Sequence, residues 1–335
     1  MNFPLTAYLA AALSGFVVVL GATPLWVRWC LRTGHVDDPG HRKIHSVSTP
    51  LAGGLAVMTG IVLPILAGAA WLWLRNPSDP FPSMPPLSDD PRALLGYGLG
   101  KRAIQLGAIV LGGFTMLGLG WYDDKKEIKP AAKLAGQLVV ALLIAAAGVR
   151  ITLFVPNILF SYAVTVLWIL TIVNAINFMD NMNGLCAGLS FIGSLIFGLL
   201  AAGAGQYLVA STAFLAAGAF AGFLPYNFPN ARSFLGDAGS HLAGYILSIL
   251  AILPHFHWSE NPRRLAVLAP LLVLALPLLD LVRVVMLRTK AGKPFYIGDT
   301  NHLSHWLVRR GLAPAHAVIV LWMVAAAIGS LALLR

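Results

Sequence analysis

Hydrophobic residues run in long blocks along this chain, and polar residues gather between the blocks. Ten apolar stretches stand out: Leu5–Val27, Leu51–Leu74, Ala103–Trp121, Ala131–Val149, Ile158–Asn177, Leu185–Ala204, Tyr207–Leu224, Leu242–Phe256, Leu265–Leu287 and Ala315–Leu334. About 20 mostly apolar residues suffice to cross a bilayer. A backbone in lipid must satisfy its own hydrogen bonds, which selects helices. The expected fold is all-α, a polytopic membrane bundle of about ten transmembrane helices. The eighth block is short, so it is expected to extend or tilt. The longest connection, Arg75–Arg102, is Pro-rich around Pro82 to Pro86. Residues 1–335 therefore read as a single transmembrane domain, and the first block reads as a retained helix because no basic segment precedes it.

The polar positions are not spread evenly. Asp37 and Asp38 follow the first block, Asp123 and Asp124 the third, Asp180 the fifth, Asp237 the seventh and Asp299 the ninth. Loops after odd-numbered spans share one face of a membrane. The segments 28–50, 122–133, 178–184, 225–241 and 288–313 are thus expected to converge there as a surface-bound active site.

Composition agrees and adds a direction. Apolar residues make up 58% of the chain and charged residues 11%, with a mean hydropathy of +0.78. Of the 23 Lys and Arg residues, 15 lie beyond odd-numbered spans. The positive-inside rule puts that face in the cytoplasm and both termini outside. The expected location is the inner (cytoplasmic) membrane. A net charge of +10 would ordinarily suggest nucleic acid, but here the excess lines a membrane face, so no nucleic acid partner is expected. Anionic lipid headgroups account for part of it. A phosphorylated substrate with a divalent cation suits the remainder. Cys30 and Cys186 read as buried thiols.

Individual segments sharpen the chemistry. Asp123 and Asp124 are adjacent on a helix and point about 100° apart, so different jobs are expected of them. One would face substrate while the other holds a neighbouring helix or a cation. A solvated helix end is the plain alternative. Lys133 returns towards the same place. Asn174, Asn177, Asp180 and Asn183 recur every third residue, a polar ladder climbing out of the membrane. Unpartnered amides are costly in apolar surroundings, so the ladder is either structural glue between helices or part of a site. Gly184 suits a break after it. Gly236 and Gly239 flank Asp237, whose hard oxygens suit Mg²⁺, although an aspartate at a helix start is also an ordinary cap. In a helix, His302, His305 and Arg309 would share a stripe, either a phosphate-binding face or a surface amphipathic helix. Arg42, Lys43 and His45 form a basic cluster able to meet phosphate. Asp280, inside the ninth span, is expected either to support the site or to belong to a transport pathway.

These segments, in this order from Asp38 to Gly311, resemble the polyprenyl-phosphate N-acetylhexosamine-1-phosphate transferases. Family members include the enzymes that initiate O-antigen and teichoic-acid linkage units and the phospho-MurNAc-pentapeptide transferase. The resemblance implies transfer of a sugar 1-phosphate from a UDP-N-acetylhexosamine to polyprenyl phosphate in membrane lipid, with release of UMP. It also implies Mg²⁺, with Mn²⁺ as a substitute. Asp123, Asp124, Asp180, His302 and His305 then match catalytic positions, Asp123 as base or acceptor-orienting residue. Lys133 matches a diphosphate-holding lysine, and Asn177 and Asn181 fall in the nucleotide segment. Phe234 matches an aromatic that stacks on uracil. Asp237 and Asn183 match the metal-binding positions, and Arg42, Lys43, His45 and Arg309 are expected to meet phosphate.

Three positions depart from that pattern. Asn183 stands where bacterial members carry Asp, Asn181 where Gly is usual, and Ser304 in place of a middle histidine. The first loop and the missing histidine triplet look less like the peptidoglycan enzyme, which remains an alternative. A transporter of lipid-linked or nucleotide cargo is the alternative from another class, but charges at span ends and no apparent inverted repeat weigh against it. Glycine-rich faces such as Gly112-Gly113 fit packing within one bundle or between the subunits of a homodimer.

Overall fold

The computed structural model describes residues 4–38, 48–75, 91–152, 155–254, 266–294, 296 and 299–334. Helices α1 (Leu5–Thr33), α2 (Gly53–Arg75), α4 (Ala103–Lys126), α5 (Pro130–Ala146), α6 (Ile158–Phe178), α7 (Leu185–Gly203), α8 (Tyr207–Asn227) and α9 (Gly236–Ile252) meet the first eight apolar blocks in order. The ninth is met by α10 (Ala269–Val273) with α11 (Ala275–Lys290), and the tenth by α13 (Pro314–Ser330). Two further helices lie between blocks, α3 (Pro91–Lys101) and α12 (Leu303–Arg309). A two-stranded ladder joins β1 (Val36–Asp37) to β2 (Thr49–Pro50), antiparallel, with Val36 opposite Pro50. Among the described residues, seven helices are long and apolar enough to cross a membrane by length and composition, and α5 is a shorter apolar helix. The chain is an all-α multi-pass membrane bundle.

Three boundaries differ from the hydropathy reading, each for a physical reason. The third block ends at Trp121, yet α4 runs on to Lys126 and carries both Asp123 and Asp124 in its last turns. Lys125 and Lys126 there complement the negative end of the helix dipole. Glu127 closes the helix in the left-handed region, its N–H donating to the Asp123 carbonyl. The eighth block begins at Leu242, but α9 starts six residues earlier at Gly236, so Asp237 belongs to the helix rather than to a loop before it. The ninth block is interrupted at Leu274. Pro277 has no N–H to give the Val273 carbonyl and its ring crowds that oxygen. The ladder restarts with Leu278 N–H to Leu274.

Helix α9 is the axis of the bundle. Thirteen of its 17 residues are buried, and α2, α4, α6 and α7 pack around it. Ala238, Leu242, Ala243, Leu247 and Leu250 join Val57, Leu117, Ile172, Ile176 and Phe220 in the largest apolar cluster. On another side Tyr245 and Ile249 meet Met116, Val140, Ile144 and Ile169. The Tyr245 hydroxyl donates to the Ile109 carbonyl at 2.9 Å, which satisfies its polar end. Large apolar side chains such as Leu66, Leu111, Leu159 and Leu167 point outward, as helices facing lipid require. Close approach at the start of α9 depends on two glycines. A methyl group at Gly120 would overlap the Asp237 carbonyl, and one at Gly54 would lie 2.6 Å from the Gly239 nitrogen. The first turn of α9 is thus clamped between α4 and α2.

Candidate active site

The end of α4, the start of α5, the end of α6 and the start of α9 meet at one end of the bundle. Asp123 and Asp124 divide their work there. The Asp124 carboxylate accepts the Asp237 N–H at 2.7 Å and the Ala238 N–H at 3.1 Å. It caps α9 from a neighbouring helix, satisfying two of the donors that a helix start leaves without partners. The Asp123 side chain turns the other way. Its Oδ2 meets Lys133 Nζ at 2.7 Å, and its Oδ1 accepts the Ile128 N–H at 2.9 Å.

Lys133 links two carboxylates, since its Nζ also lies 3.4 Å from Asp237 Oδ1. The same oxygen accepts Asn177 Nδ2 at 2.6 Å, and Asn177 Nδ2 also reaches Ser240 Oγ at 2.8 Å. Asp123, Lys133, Asp237 and Asn177 therefore form one connected polar cluster drawn from four helices. Asp237 keeps about a third of its side chain exposed, whereas Asp123 keeps 8%. Asp237 is thus the carboxylate of this cluster most open to a ligand.

The polar ladder does not climb one helix face as its spacing suggests. Helix α6 ends at Phe178, and only its two lower rungs are helical. Asn174 donates to Gln137 on α5 at 2.8 Å, which is glue between helices. Asn177 turns to α9. Asp180 and Asn183 lie in the turn before α7, closed by Gly184 at φ 78°. Asn183 Nδ2 donates to the Pro229 carbonyl at 3.1 Å. Burial, then the charges of Asp237, Asp124 and Asp37, push the Asp180 carboxyl well above the ordinary carboxylate range.

A second cluster lies on the other side of that turn. His302 precedes α12, and its Nδ1 is 2.7 Å from Asp280 Oδ2 on α11. A carboxylate only accepts, so Nδ1 carries the proton. Asp280 Oδ1 accepts the Leu303 N–H at 2.7 Å, capping α12. The His302 ring sits edge-on to Phe178, centroids 5.7 Å apart. The buried Arg288 guanidinium lies 5.0 Å from the centroid of the Phe178 ring and reaches Asp299 at 3.1 Å. Burial opposes the charge on Asp299, but hydrogen bonds from Arg288 and Asn301 hold its carboxyl down to about 2. His305 is half-buried. Burial, then His302 and Arg309, lower its proton affinity. Ser304 Oγ donates to Asn181 Oδ1 at 2.6 Å, and Asn181 Nδ2 donates to the Phe178 carbonyl at 2.6 Å. Two positions that depart from the family pattern thus touch each other.

The expected histidine stripe is modified. His302 precedes the helix and is buried, His305 is half-buried, and Arg309 is exposed with its guanidinium on the Thr300 carbonyl at 2.8 Å. Phe234 is half-buried, and its backbone pairs with Pro50 and Gly53, which ties the first loop to the approach of α9. Arg42, Lys43 and His45 lie outside the described residues. Ser240, His241 and Arg288 carry no role in the sequence reading, and Asp299 is placed on the active face there without one. Ser240 and His241 stand three and four residues after Asp237, one helical turn on, a spacing that could have flagged both. His241 Nδ1 bonds the Asp237 carbonyl at 2.6 Å, and its buried Nε2 has no hydrogen-bond partner among the described residues.

Comparison with known proteins returns the same family. The model of glycosyl transferase family 4 matches residues 106–255. A probable undecaprenyl-phosphate N-acetylglucosaminyl 1-phosphate transferase of Bacillus subtilis (strain 168) is 30% identical over 322 residues, covering 94% of this chain and 81% of its own. A decaprenyl-phosphate N-acetylglucosaminephosphotransferase of Mycobacterium tuberculosis (strain ATCC 25618 / H37Rv) is 31% identical over 350 residues, covering 96% and 80%. An undecaprenyl-phosphate alpha-N-acetylglucosaminyl 1-phosphate transferase of Escherichia coli (strain K12) is 24% identical over 319 residues, covering 90% and 77%.

Proposed function

The chain belongs to glycosyl transferase family 4, and we propose that it transfers N-acetylglucosamine 1-phosphate from UDP-N-acetylglucosamine to a polyprenyl phosphate at the cytoplasmic face of the inner membrane. The product is a polyprenyl-diphospho-sugar, the first membrane-bound intermediate of an envelope glycan. The observation that carries the reading is the single cluster formed by Asp123, Lys133, Asp237 and Asn177 from four helices. It is joined to near-full-length similarity with relatives named for this transfer.

The donor set fits a hard divalent cation. Asp123 and Asp237 flank Lys133, and the charges of Asp237 and Asp124 act on Asp180. Burial first, then those charges, push the Asp180 carboxyl up, and a cation would relieve the charge part of that cost. Among the described residues no three His, Cys, Asp or Glu side chains group into a complete metal cage. Mg²⁺ is commonly held by one or two carboxylates, with substrate phosphates and water completing its shell. Asp237 and Asp180 would hold it, with the Asn183 amide oxygen as a third donor. When bound, Mg²⁺ offsets diphosphate charge and stabilises the departing phosphate.

The residues themselves do the positioning on which phosphoryl transfer mostly depends. An oxygen of the lipid phosphate attacks the phosphorus that bears the sugar, the bond from that phosphorus to the bridging oxygen breaks, and UMP leaves with that oxygen. Both Asp123 oxygens are engaged, with Lys133 and the Ile128 N–H. This favours direct displacement over an aspartyl-phosphate route, with Asp123 holding Lys133 towards the phosphates. Lys133 is half-buried, so its charge is less screened than on an open surface. By the family resemblance, Phe234 would stack on uracil.

The test uses purified protein in lipid nanodiscs with Mg²⁺, undecaprenyl phosphate and a panel of UDP-sugars. UMP and a lipid-linked GlcNAc product are expected with UDP-GlcNAc, and none without metal. Release of UMP only with UDP-MurNAc-pentapeptide would move the chain to the peptidoglycan reaction. No release with any UDP-N-acetylhexosamine would remove the transferase reading.

A further inference from the structure

Asp280 is the one carboxylate set deep within an apolar stretch, and it lies in the second helix of the interrupted ninth block. Its side chain is fully buried. A buried charge survives only when paired and hydrogen-bonded, and an ionisable group at membrane depth is a sign of function. Asp280 has both kinds of partner, and it splits them. One oxygen takes the Leu303 N–H at 2.7 Å and fixes the first turn of α12. The other takes the His302 Nδ1–H, also at 2.7 Å. Cap and ring are held by a single carboxylate, so the position of the helix and the orientation of the imidazole are set together.

The surroundings fix the ring on its other sides. Phe178 meets it edge-on, and Ser304 on the same short helix is tied to Asn181. Phe178 and Asn181 flank Asp180 in sequence, so His302 is held against the turn that carries a carboxylate of the proposed site. With Nδ1 committed to Asp280, Nε2 is the ring atom left for a ligand.

We propose that Asp280 is a positioning residue that locks His302 in the Nδ1–H form, with Nε2 presented to a phosphate oxygen of a substrate. The proposal rests on the transferase reading above and deepens it. A carboxylate at Nδ1 and a phosphate oxygen at Nε2 both require N–H. A second proton, supplied by the O–H of a monoprotonated phosphate or by water, moves to Nε2, and the ring is clamped between two anions, donating at both ends. The proton stays on Nε2 as a hydrogen bond to the phosphate. Asp280 contacts no substrate and acts only through His302. The phosphate belongs either to the lipid acceptor or to the nucleotide donor, and the two KM values separate them.

The decisive variant is Asp280→Asn. Its amide oxygen still caps Leu303, but its NH₂ now faces Nδ1. The ring must accept there and carry its proton on Nε2, so the fold is retained and the tautomer reversed. In ¹⁵N-histidine-labelled protein, with His302 assigned by loss of its signal in His302→Gln, the wild type should show Nδ1–H and Asp280→Asn should show Nε2–H. Transfer should fall roughly 10- to 100-fold, the scale seen when the carboxylate behind a metal-bound histidine is lost. A rise in KM for polyprenyl phosphate alone assigns the contact to the acceptor, and a rise for UDP-GlcNAc alone to the donor. In the His302→Gln background the same change should cost less than about threefold, because two residues acting as one unit do not add.

Multiplying losses in the double variant, or a wild-type His302 protonated only on Nε2, would overturn the proposal. If Asp280→Asn does not fold, the wild-type tautomer and the KM pattern of His302→Gln still decide it. A wild type that shows the Nδ1–H tautomer but turns over no UDP-sugar would sink the transferase reading while leaving the Asp280–His302 lock standing.

Discussion

Two helix starts meet at the same end of this bundle, and each is held by an aspartate from a neighbouring helix. At α9, Asp124 spends both oxygens on backbone N–H groups. At α12, Asp280 spends one on the backbone and one on the His302 ring. The first start gathers carboxylates: Asp237 sits in it, Asp123 beside it and Asp180 nearby, with Lys133 between Asp123 and Asp237. The second gathers nitrogen cations and imidazoles, with Asp280 and Asp299 as their counterweights. In the proposed reaction the first pole would hold a divalent cation and the second would meet phosphate oxygens. The residue type at the pole differs, while the scaffold beneath, a carboxylate capping a helix, is the same. A reaction that brings a metal-bound diphosphate to a lipid phosphate needs both poles at a fixed separation. Phe178 and the Asn181–Ser304 hydrogen bond supply that spacing across the α6–α7 turn.

The comparison breaks most sharply at Asp237. Asp237→Ala removes the most exposed carboxylate of the acidic pole and leaves Lys133 with Asp123 alone. Turnover should fall by at least roughly 10²–10³-fold, the scale of losing a preorganised electrostatic contact. Saturating Mg²⁺ should not restore it. Retained turnover with unchanged Mg²⁺ dependence would show that the cation sits elsewhere.

Asp124→Asn tests the claim that Asp124 is scaffold. The amide keeps one acceptor for α9 but turns its NH₂ against the second N–H, leaving a buried donor without a partner. A loss of about 1–3 kcal/mol in stability follows from that penalty, read as a lower midpoint in thermal or denaturant unfolding in detergent. Activity should fall with it, because the cap also places Asp237. The contrast with Asp280→Asn is the informative part. The α12 cap survives that change, so its midpoint should move much less. Equal shifts in the two variants would mean that the aspartates do the same job.

Much of this was legible beforehand, and the reasons divide cleanly. Among the described residues hydropathy located every long helix, because lipid imposes length and apolarity together. It misplaced the starts and ends that matter, at Lys126 and Gly236, because those turns are held by capping and the helix dipole rather than by apolarity. The spacing of Asn174, Asn177, Asp180 and Asn183 signalled a polar feature correctly, but a period of three said nothing about where α6 stops. The different jobs expected of Asp123 and Asp124 follow from helix geometry, whereas which residue takes which job depends on where α5 and α9 lie. Asp280 stood out as a buried charge, but its partner is 22 residues away around a loop, a pairing only tertiary structure reveals.

The acidic pole also makes a pH prediction. The Asp180 carboxyl is pushed up by burial and by its acidic neighbours, so without metal the folded state holds that proton more tightly than the unfolded chain does. Metal-free stability should therefore decline as pH rises from the ordinary carboxylate range through the raised value. Mg²⁺ must displace the proton to bind, so its stabilising effect should grow over the same interval. Melting with and without Mg²⁺ at pH 5 and pH 8 measures this. The gain from Mg²⁺ should be larger at pH 8, and Asp180→Asn should flatten the difference. A gain independent of pH in the wild type would exclude Asp180 from cation binding.

The smallest expected effect concerns the strut between the poles. Ser304 is fully buried, and its hydroxyl donates to Asn181 at 2.6 Å. Ser304→Ala removes one neutral hydrogen bond, which costs about 1 kcal/mol. Asn181 stays tethered through its own bond to the Phe178 carbonyl, and His302 stays tethered through Asp280. Transfer should thus fall only a few-fold. If the strut sets the distance between cation and phosphate, the loss should appear in kcat with both KM values nearly unchanged, because each pole still binds its own ligand. A loss confined to one KM would make Ser304 part of a single binding pole instead. Asn181→Ala should give the same kcat pattern, and the double variant should be no worse than the more damaging single one, since both changes break the same bond.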